Sequence, residues 1–252
     1  MNLDKYKIPM GELPLIIKES IQKEIQYFDF LDFQHAYEIH KEKTFSTGIC
    51  RDSKGAILVT CVTDMPQVTP KMIDWWFGWH MPETERYKLW HPRDHISSKM
   101  TVDTSIFETD KKKYIHIDSY VEEYIGKELN NLCISFVEPK DFGFFELNSN
   151  QETAVCAHVK DLNKNITIGS LTHLVMKTTD GSKMQSSFWL GMNPKHNNSF
   201  LNFLIKPFLN IKKLKILLLP DKLALDLLIH CAEEMNHLTK FLPKLYNDIC
   251  LK

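Results

Sequence analysis

The stretch that decides the fold is "PDKLALDLLIHCAEEMNHLTKFL", residues 220–242. At about 100° per residue, six of its positions fall in one stripe about 100° wide. Those positions are Leu223, Leu227, His230, Glu234, His237 and Phe241. Because both ends of the stripe are apolar, it should face a sheet. The sequence therefore predicts a long helix that ends near Pro243 and packs against strands.

Strands precede this helix. "AILVTCVTDMP" (56–66) is rich in β-branched residues and reads as a strand ended by Pro66. Thr69 as N-cap and Pro70 at the first helical position then predict a short aromatic-rich helix. Five further strand-like segments lie between residues 114 and 192.

The last two of these segments are joined by "TDGS", whose central Asp-Gly favours a tight hairpin. A two-residue loop pairs Thr179 with Ser182. That register places His173 opposite Phe188, and Leu171 opposite Leu190.

The remaining segments complete the architecture. Residues 11–31 carry apolar positions at helical spacing and predict one or two amphipathic helices, and a connection rich in Leu, Ile and Lys leads into the final helix. The fold class is therefore α+β, with N-terminal helices, mostly antiparallel strands and a long C-terminal helix. A curved sheet wrapped around such a helix would enclose a cavity.

Composition narrows the classes of function. The chain has 252 residues, 43% hydrophobic and 25% charged, and a formal charge of −1, which gives no electrostatic reason to expect nucleic acid or an anionic membrane as partner. No apolar run is long enough to span a bilayer, and the N-terminus lacks the apolar core of a secretory signal. The six cysteines form no C-x-x-C pair, so free thiols in a reducing cytoplasm are expected.

The final helix carries the first candidate metal ligands. His230 and Glu234 stand four residues apart, so their Cβ atoms lie about 6 Å from each other on one face. An imidazole and a carboxylate at this spacing can converge on one Zn²⁺. An exposed His/Glu face on an amphipathic helix is the open alternative.

Two other segments offer ligands of the same kinds. "RYKLWHPRDH" (86–95) contains His91 and His95, either of which could enter a cavity or remain a hydrogen-bonded core residue. In "VEEYIG" (121–126) strand alternation sends Glu122 and Glu123 to opposite faces, and Glu123 shares the face of the apolar residues. A surface position for both carboxylates stays open.

His173 lies on an apolar strand face within "LTHLVMK". It is either a core residue whose ring nitrogens are hydrogen-bonded or, in a catalytic cavity, a general acid or base with a pKa near neutral. No nucleophile elbow, Walker sequence, G-x-G-x-x-G or H-E-x-x-H motif occurs in the chain.

The motifs "MIDWWFGWHMPETERYKLWHPRDH", "VEEYIG", "SLTHLV" and "HCAEE" together resemble the diacetylphloroglucinol hydrolase and phloretin hydrolase family, from about residue 55 to 240. The resemblance implies a Bet v 1-like helix-grip fold, with an N-terminal helical region at 1–45 and a catalytic domain at 46–252. It also implies zinc-dependent hydrolysis of the carbon–carbon bond between an acyl group and a polyhydroxylated aromatic ring.

The resemblance also implies roles for single residues. The zinc ligands it implies are His95, Glu123, His230 and Glu234, with Glu123 chosen over Glu122. His173 corresponds to the catalytic pocket histidine, and Tyr87 to a tyrosine that contacts the substrate.

One position departs from the family pattern. Where the family can place a second tyrosine, this chain has Phe188 and Trp189. Phe188 is therefore expected to contact the substrate, but it has no hydroxyl to offer a hydrogen bond. His91 is expected to be structural. The aromatic scaffold around the pocket is assigned to Trp75, Trp76, Trp79 and Trp90.

These observations predict a cytoplasmic zinc hydrolase acting on a small acylated polyphenol such as diacetylphloroglucinol or phloretin. Nucleic acid and membranes are not expected as partners, and a homodimer is one possible assembly. The alternative is a non-catalytic helix-grip protein that binds an aromatic or apolar small molecule, since fold does not imply function.

Overall fold

The computed structural model describes residues 2–42, 45–196 and 198–250. Within them a single sheet has the order β1-β2-β3-β9-β8-β7-β6-β5-β4, antiparallel throughout except for the pair β1 and β2. The strands are β1 (Gln26–Tyr27), β2 (Gly48–Arg51), β3 (Ile57–Pro66), β4 (His95–Met100), β5 (Asp118–Ile125), β6 (Glu128–Val137), β7 (Glu152–Asp161), β8 (Ile166–Lys177) and β9 (Gly181–His196).

The α-helices of the described ranges are α1 (Leu15–Ile21), α2 (Ala36–Lys41), α3 (Pro70–His80), α4 (Thr84–Trp90), α5 (Ser199–Leu209), α6 (Lys212–Leu218) and α7 (Asp221–Cys250). Short 3₁₀ turns lie at Asp4–Tyr6, Phe33–His35, Lys111–Lys113 and Pro139–Phe142.

The sheet is curved around α7, which confirms the predicted α+β class and the grip of a sheet on a C-terminal helix. On the inner face, buried residues of the sheet such as Val59 and Val155 share one core with Leu228 and Met235 of α7. The outer face buries a second apolar cluster under α2 and the 3₁₀ turn Pro139–Phe142. Burial on both faces explains why Ile57, Leu58 and Val59 follow one another in β3 without a polar residue between them.

Helix α7 continues beyond the predicted end at Pro243, which lies inside it. Proline removes one backbone donor and costs about 3 kcal/mol in a helix interior. Leu242, Leu245 and Tyr246 are buried around it, and burying such side chains contributes about 1.5–3 kcal/mol each. Core packing therefore outweighs the proline, and the prediction of a stop at this residue was wrong.

The β8–β9 hairpin also differs from its prediction. Lys177, and not Thr179, pairs with Ser182. The reason is that Gly181 lies inside β9, where it pairs with Pro66 of β3. A Cβ atom at position 181 would lie 2.3 Å from the Met65 carbonyl oxygen, so the close approach of β3 requires glycine there.

The corrected register places His173 opposite Ser186 rather than Phe188, and Leu171 opposite Phe188 rather than Leu190. Because the shift is two residues, each side chain stays on the predicted face of the sheet. His173 therefore still points to the side that α7 covers.

The N-terminal segment is less helical than predicted. Only Leu15–Ile21 of residues 11–31 forms an α-helix, and Gln26–Tyr27 pairs in parallel with β2 at the sheet edge. By contrast, α3 begins as predicted, since the Thr69 hydroxyl accepts a hydrogen bond from the Met72 N–H at 3.3 Å and Pro70 occupies the first helical position.

Candidate metal centre

Helix α7 directs His230 and Glu234 into the space between helix and sheet. Both residues are buried, at 5% and 8% exposure, so the alternative of an exposed His/Glu face is excluded. His230 Nε2 lies 3.9 Å from Glu234 Oε2. Their stripe on the helix is flanked by buried Leu228, Leu238 and Phe241, which holds the polar pair away from water.

Strands β4 and β5 bring the other two residues to the same place. His95 begins β4 and pairs directly with Glu123 of β5. His95 Nε2 lies 3.7 Å from Glu123 Oε2 and 3.5 Å from Glu234 Oε2. Ligand atoms of His95, Glu123 and His230 lie within 4.8 Å of one another, close enough to hold a metal ion.

The protonation of His95 tests whether a cation fits. His95 Nδ1–H donates to the Tyr87 carbonyl oxygen at 3.0 Å, so the proton of the neutral ring is on Nδ1. Burial lowers the pKa of His95 well below its ordinary value, and the ring stays neutral. Nε2 is buried without a hydrogen-bond donor, and its lone pair faces two carboxylates. A bound cation would satisfy this arrangement, so the donor set fits a divalent metal.

The two carboxylates of the centre are not equivalent. Burial raises the pKa of Glu234 to about 8, and the nearby Glu123 carboxylate adds to this shift while His230 opposes it. Two carboxylates in a buried space repel each other unless a proton or cation lies between them. A metal ion would therefore stabilise both charges at once.

Asp94 holds His230 from the side away from the centre. Its Oδ2 lies 3.6 Å from His230 Nδ1. Burial would lower the pKa of His230, but Asp94, Glu234 and Glu123 together raise it to about 9. Hydrogen bonding of Nδ1–H to Asp94 would leave Nε2 directed at Glu234, which is the arrangement typical of carboxylate–histidine–metal sites.

His91 is buried and hydrogen-bonded, and its predicted structural role stays a prediction. Its Nδ1 accepts the Asp94 backbone N–H at 3.1 Å, so its proton lies on Nε2. Nε2 in turn lies 3.3 Å from both Asp94 Oδ2 and Glu233 Oε2. The ring stacks on His230 at 4.7 Å between centroids. His91, Asp94 and His230 are also close enough to hold a metal ion, but the hydrogen bond to His91 Nδ1 favours a supporting role for this group.

Tyr87 contacts two of the candidate ligands. Its ring stacks on His95 with 3.7 Å between centroids and 4° between planes, and its hydroxyl donates to Glu123 Oε2. A substrate phenol would have to share or replace this hydrogen bond. The geometry thus adds a positioning role to the substrate contact predicted for Tyr87.

His173 lies farther from the centre. Its Nδ1 shares a 2.8 Å hydrogen bond with the Ser186 hydroxyl, and its ring lies 5.8 Å from Phe188. It reaches the centre through a row of aromatic rings, first Phe77, then His80, which stacks on Tyr87. Burial lowers the pKa of His173 to about 3, so the expected near-neutral value does not hold in the unliganded chain.

The tryptophans form the wall of this region. Trp75, Trp76 and Trp90 are buried, and Trp76 packs against Trp90 and Phe241 of α7. Trp189 lies on the other side of the sheet, where its indole N–H donates to the Leu31 carbonyl. Of the two residues in place of a tyrosine, only Phe188 therefore belongs to the inner core.

Sequence reasoning did not find two supporting residues. Asp94 directly precedes His95, and a carboxylate beside a candidate histidine ligand is a usable signal. His80, which donates Nδ1–H to the Trp76 carbonyl at 2.8 Å, has no comparable signal because four tryptophans surround it in sequence.

Comparison with known proteins finds a family model and relatives that match most of the chain. The family described as the DAPG hydrolase PhiG domain matches residues 28–247. The phloretin hydrolase of Eubacterium ramulus is 28% identical over 208 residues, which cover 80% of this chain and 70% of the relative. The 2,4-diacetylphloroglucinol hydrolase of Pseudomonas protegens is 27% identical over 201 residues, covering 73% of this chain and 62% of the relative, so the chain spans less than two thirds of that protein.

Solved structures are more distant. Ara h 8.0201 has a TM-score of 0.44 at 9% identity, covering 75% of this chain and 99% of the other. Norcoclaurine synthase from Thalictrum flavum has a TM-score of 0.33 at 11% identity, covering 69% and 88% of the two chains.

A buried histidine–carboxylate centre between a curved sheet and a long helix defines the class: an α+β protein with an enzyme-type site that could hold a metal ion. The chain belongs to the DAPG hydrolase PhiG domain family, and it is therefore a hydrolase, as the sequence motifs predicted.

Proposed function

We propose that this protein is a zinc-dependent hydrolase that cleaves the carbon–carbon bond between an acyl group and a polyhydroxylated aromatic ring. The observation that carries the proposal is the unpartnered Nε2 of His95, which faces the carboxylates of Glu123 and Glu234. The printed names of the relatives supply the substrate class, phloretin and 2,4-diacetylphloroglucinol. Free thiols at all six cysteines support a reducing, cytoplasmic setting.

The zinc ligands in this proposal are His95, Glu123, His230 and Glu234. Zinc held there would supply Lewis-acid polarisation of a substrate oxygen or of water. The Tyr87 carbonyl keeps the proton of His95 on Nδ1, so His95 offers Nε2 to the centre. Asp94 Oδ2, 3.6 Å from His230 Nδ1, would do the same for His230 when a bound metal requires the neutral ring.

In the reaction, the bond between the acyl carbon and the ring carbon breaks, water oxygen joins the acyl carbon, and a proton joins the ring carbon. The products are a carboxylic acid and the deacylated phenol. We assign the proton transfer to His173, whose pKa of about 3 in the unliganded chain would have to rise towards neutral when the substrate binds. Ser186 holds the ring in orientation, and Phe188 offers an apolar wall.

The test combines substrate and metal measurements on the full chain. The protein is incubated with 2,4-diacetylphloroglucinol and with phloretin, and the released acid and deacylated phenol are quantified together with bound zinc. We expect about one zinc per chain, loss of turnover with a chelator, and its return with zinc.

Glu234→Gln should lose both zinc and turnover, whereas the control variant Glu122→Gln should keep them. Glu122 is the carboxylate next to Glu123 on β5, but its Oε2 accepts from the Ser97 hydroxyl outside the centre. Full zinc content in Glu234→Gln would contradict the ligand assignment. A bound but unaltered substrate in a zinc-free protein would instead support the non-catalytic binding function.

A further inference from the structure

Helices α5 and α6 expose an unusual amount of apolar surface. None of the residues of α5 is fully buried. The most exposed side chains are Phe203 (77%), Leu217 (75%), Phe200 (70%) and Phe208 (60%). We call the set Phe200, Phe203, Leu204, Phe208, Leu217 and Leu218 the apolar face.

The helical spacing gathers the exposed apolar side chains of α5 on one side of the helix. Phe200, Phe203, Leu204 and Phe208 recur at i, i+3, i+4 and i+8, so they lie on one side of α5. Ile205 lies on the other side and is partly buried, where α5 contacts β9. The helix is thus apolar towards the sheet and apolar again towards solvent, and an apolar patch of this size marks a contact site.

The charge around the face has one sign. Residues 181–220 contain no Asp or Glu, although the whole chain carries −1. Lys206, Lys212 and Lys213 are exposed on the two helices beside the face, while Lys215 is buried with its stem against Gly55. The average charge of the chain therefore conceals a basic, apolar segment.

The combination of exposed apolar side chains with lysines favours one kind of binding partner over another. A two-fold contact between copies would place the same segment against itself, so exposed lysines would meet lysines with no carboxylate on the segment to pair with. Anionic lipid headgroups would pair with the lysines, while the phenylalanines and leucines enter the acyl boundary.

We propose that the apolar face of α5 and α6 docks on the surface of an anionic phospholipid membrane. Helices that lie in the plane of the interface dock peripherally. No helix in the described ranges is long and apolar enough to cross a bilayer. The inference is independent of the hydrolase proposal. It differs from the expectation, drawn from net charge, that membranes are not partners, and the experiment below decides between the two.

Sedimentation with vesicles tests the proposal with the full chain. We expect co-sedimentation with vesicles of phosphatidylcholine and phosphatidylserine, and little with phosphatidylcholine alone. Lys212→Gln with Lys213→Gln should weaken binding by on the order of 25-fold, because each basic residue near an anionic surface is worth about fivefold. Phe203→Ser with Phe208→Ser should abolish it, and because both side chains are exposed these variants should fold.

Matched controls lie elsewhere on the surface. Phe145→Ser removes a phenylalanine that is 80% exposed, and Lys112→Gln with Lys140→Gln removes two exposed lysines; both should bind vesicles like the parent. Absence of binding to anionic vesicles, or equal loss in the controls, would overturn the proposal. So would ultracentrifugation showing a dimer that Phe203→Ser dissociates, because a second copy would then cover the face.

Discussion

Helix α7 and the pair α5–α6 lie next to each other in sequence and distribute their side chains in opposite ways. α7 buries His230 and Glu234, which cost free energy to take out of water. α5 and α6 leave Phe203 and Leu217 in water, where they contribute nothing to the core. Both arrangements run against the stability of the isolated chain. The two proposals made above each supply a partner from outside the chain: a cation for the α7 centre and an anionic membrane surface for α5 and α6.

The largest expected effect is the loss of activity when a candidate metal ligand of α7 is replaced. Glu234→Leu should lower kcat/KM by at least about 10³-fold, because the metal would lose a ligand. The same change should alter the free energy of unfolding of the metal-free protein only slightly, because it removes a carboxyl whose burial opposes folding but also one of the three carboxylates beside His230. Burial raises the pKa of Glu234 to about 8, so at neutral pH the folded metal-free chain must take up a proton that the unfolded chain does not bind, and this opposes folding. Urea unfolding of the chelated protein would measure this, and a large loss of stability would show a structural carboxylate instead.

A pair of phenylalanines compares the two regions directly. Phe241→Ala on α7 should cost about 3–5 kcal/mol, since this side chain is 2% exposed. Phe203→Ala on α5, at 77% exposure, should change the free energy of unfolding by less than about 0.5 kcal/mol. Denaturant melts of both variants provide the measurement. Equal costs would mean that the α5 face is buried in solution.

A variant of His173 tests proton transfer separately from metal binding. His173→Gln should lower kcat by about 10²-fold or more, because a positioned acid or base contributes at least that much. Zinc content should stay at the parent level, since His173 bonds to Ser186 and not to the candidate ligands. Turnover measured alongside metal analysis decides the matter, and an unchanged kcat would remove His173 from the mechanism.

A variant of Asp94 tests whether this carboxylate orients His230 for metal binding. Asp94→Asn should weaken zinc binding by about 10–100-fold, the usual effect of removing a carboxylate behind a histidine ligand. Asp94→Glu should restore part of the affinity, and Glu122→Gln, a carboxylate bonded to Ser97, should have no effect. Competition with a chromophoric chelator measures the affinities. If Asp94→Asn binds zinc like the parent, Asp94 does not orient His230.

The smallest effect concerns pH. Burial lowers the pKa of His80 to about 3, whereas an unfolded histidine titrates near its ordinary value of about 6.5. Between these values the unfolded chain binds the extra proton, so the stability that neutral His80 contributes is present above pH 6.5 and is lost as pH falls. From pH 7 to pH 5, the metal-free parent should lose about 2 kcal/mol more than His80→Gln does. Parallel stability curves would contradict this assignment.

Some of the candidate centre followed from local pattern. Alternation in "VEEYIG" placed Glu123 on the buried face, where the structure has it, and the i, i+4 spacing placed His230 beside Glu234. Zinc binding by these residues and the boundary near residue 45 stay predictions. The contact of Asp94 with His230 could not be predicted from local pattern, because the two residues are more than a hundred positions apart in sequence.

The sequence by itself determined several element types and faces, because periodicity and capping act over a few residues. These are the strand ended by Pro66, the Thr69 cap and the polar centre of α7. Tertiary structure decided what depends on distant partners. Contact with β3 set the β8–β9 register, core packing carried α7 through Pro243, and the pairing of β4 with β5 brought His95 to the α7 pair. It also decided that the Leu- and Lys-rich connection turns apolar side chains to water, since exposure depends on what the rest of the chain leaves uncovered.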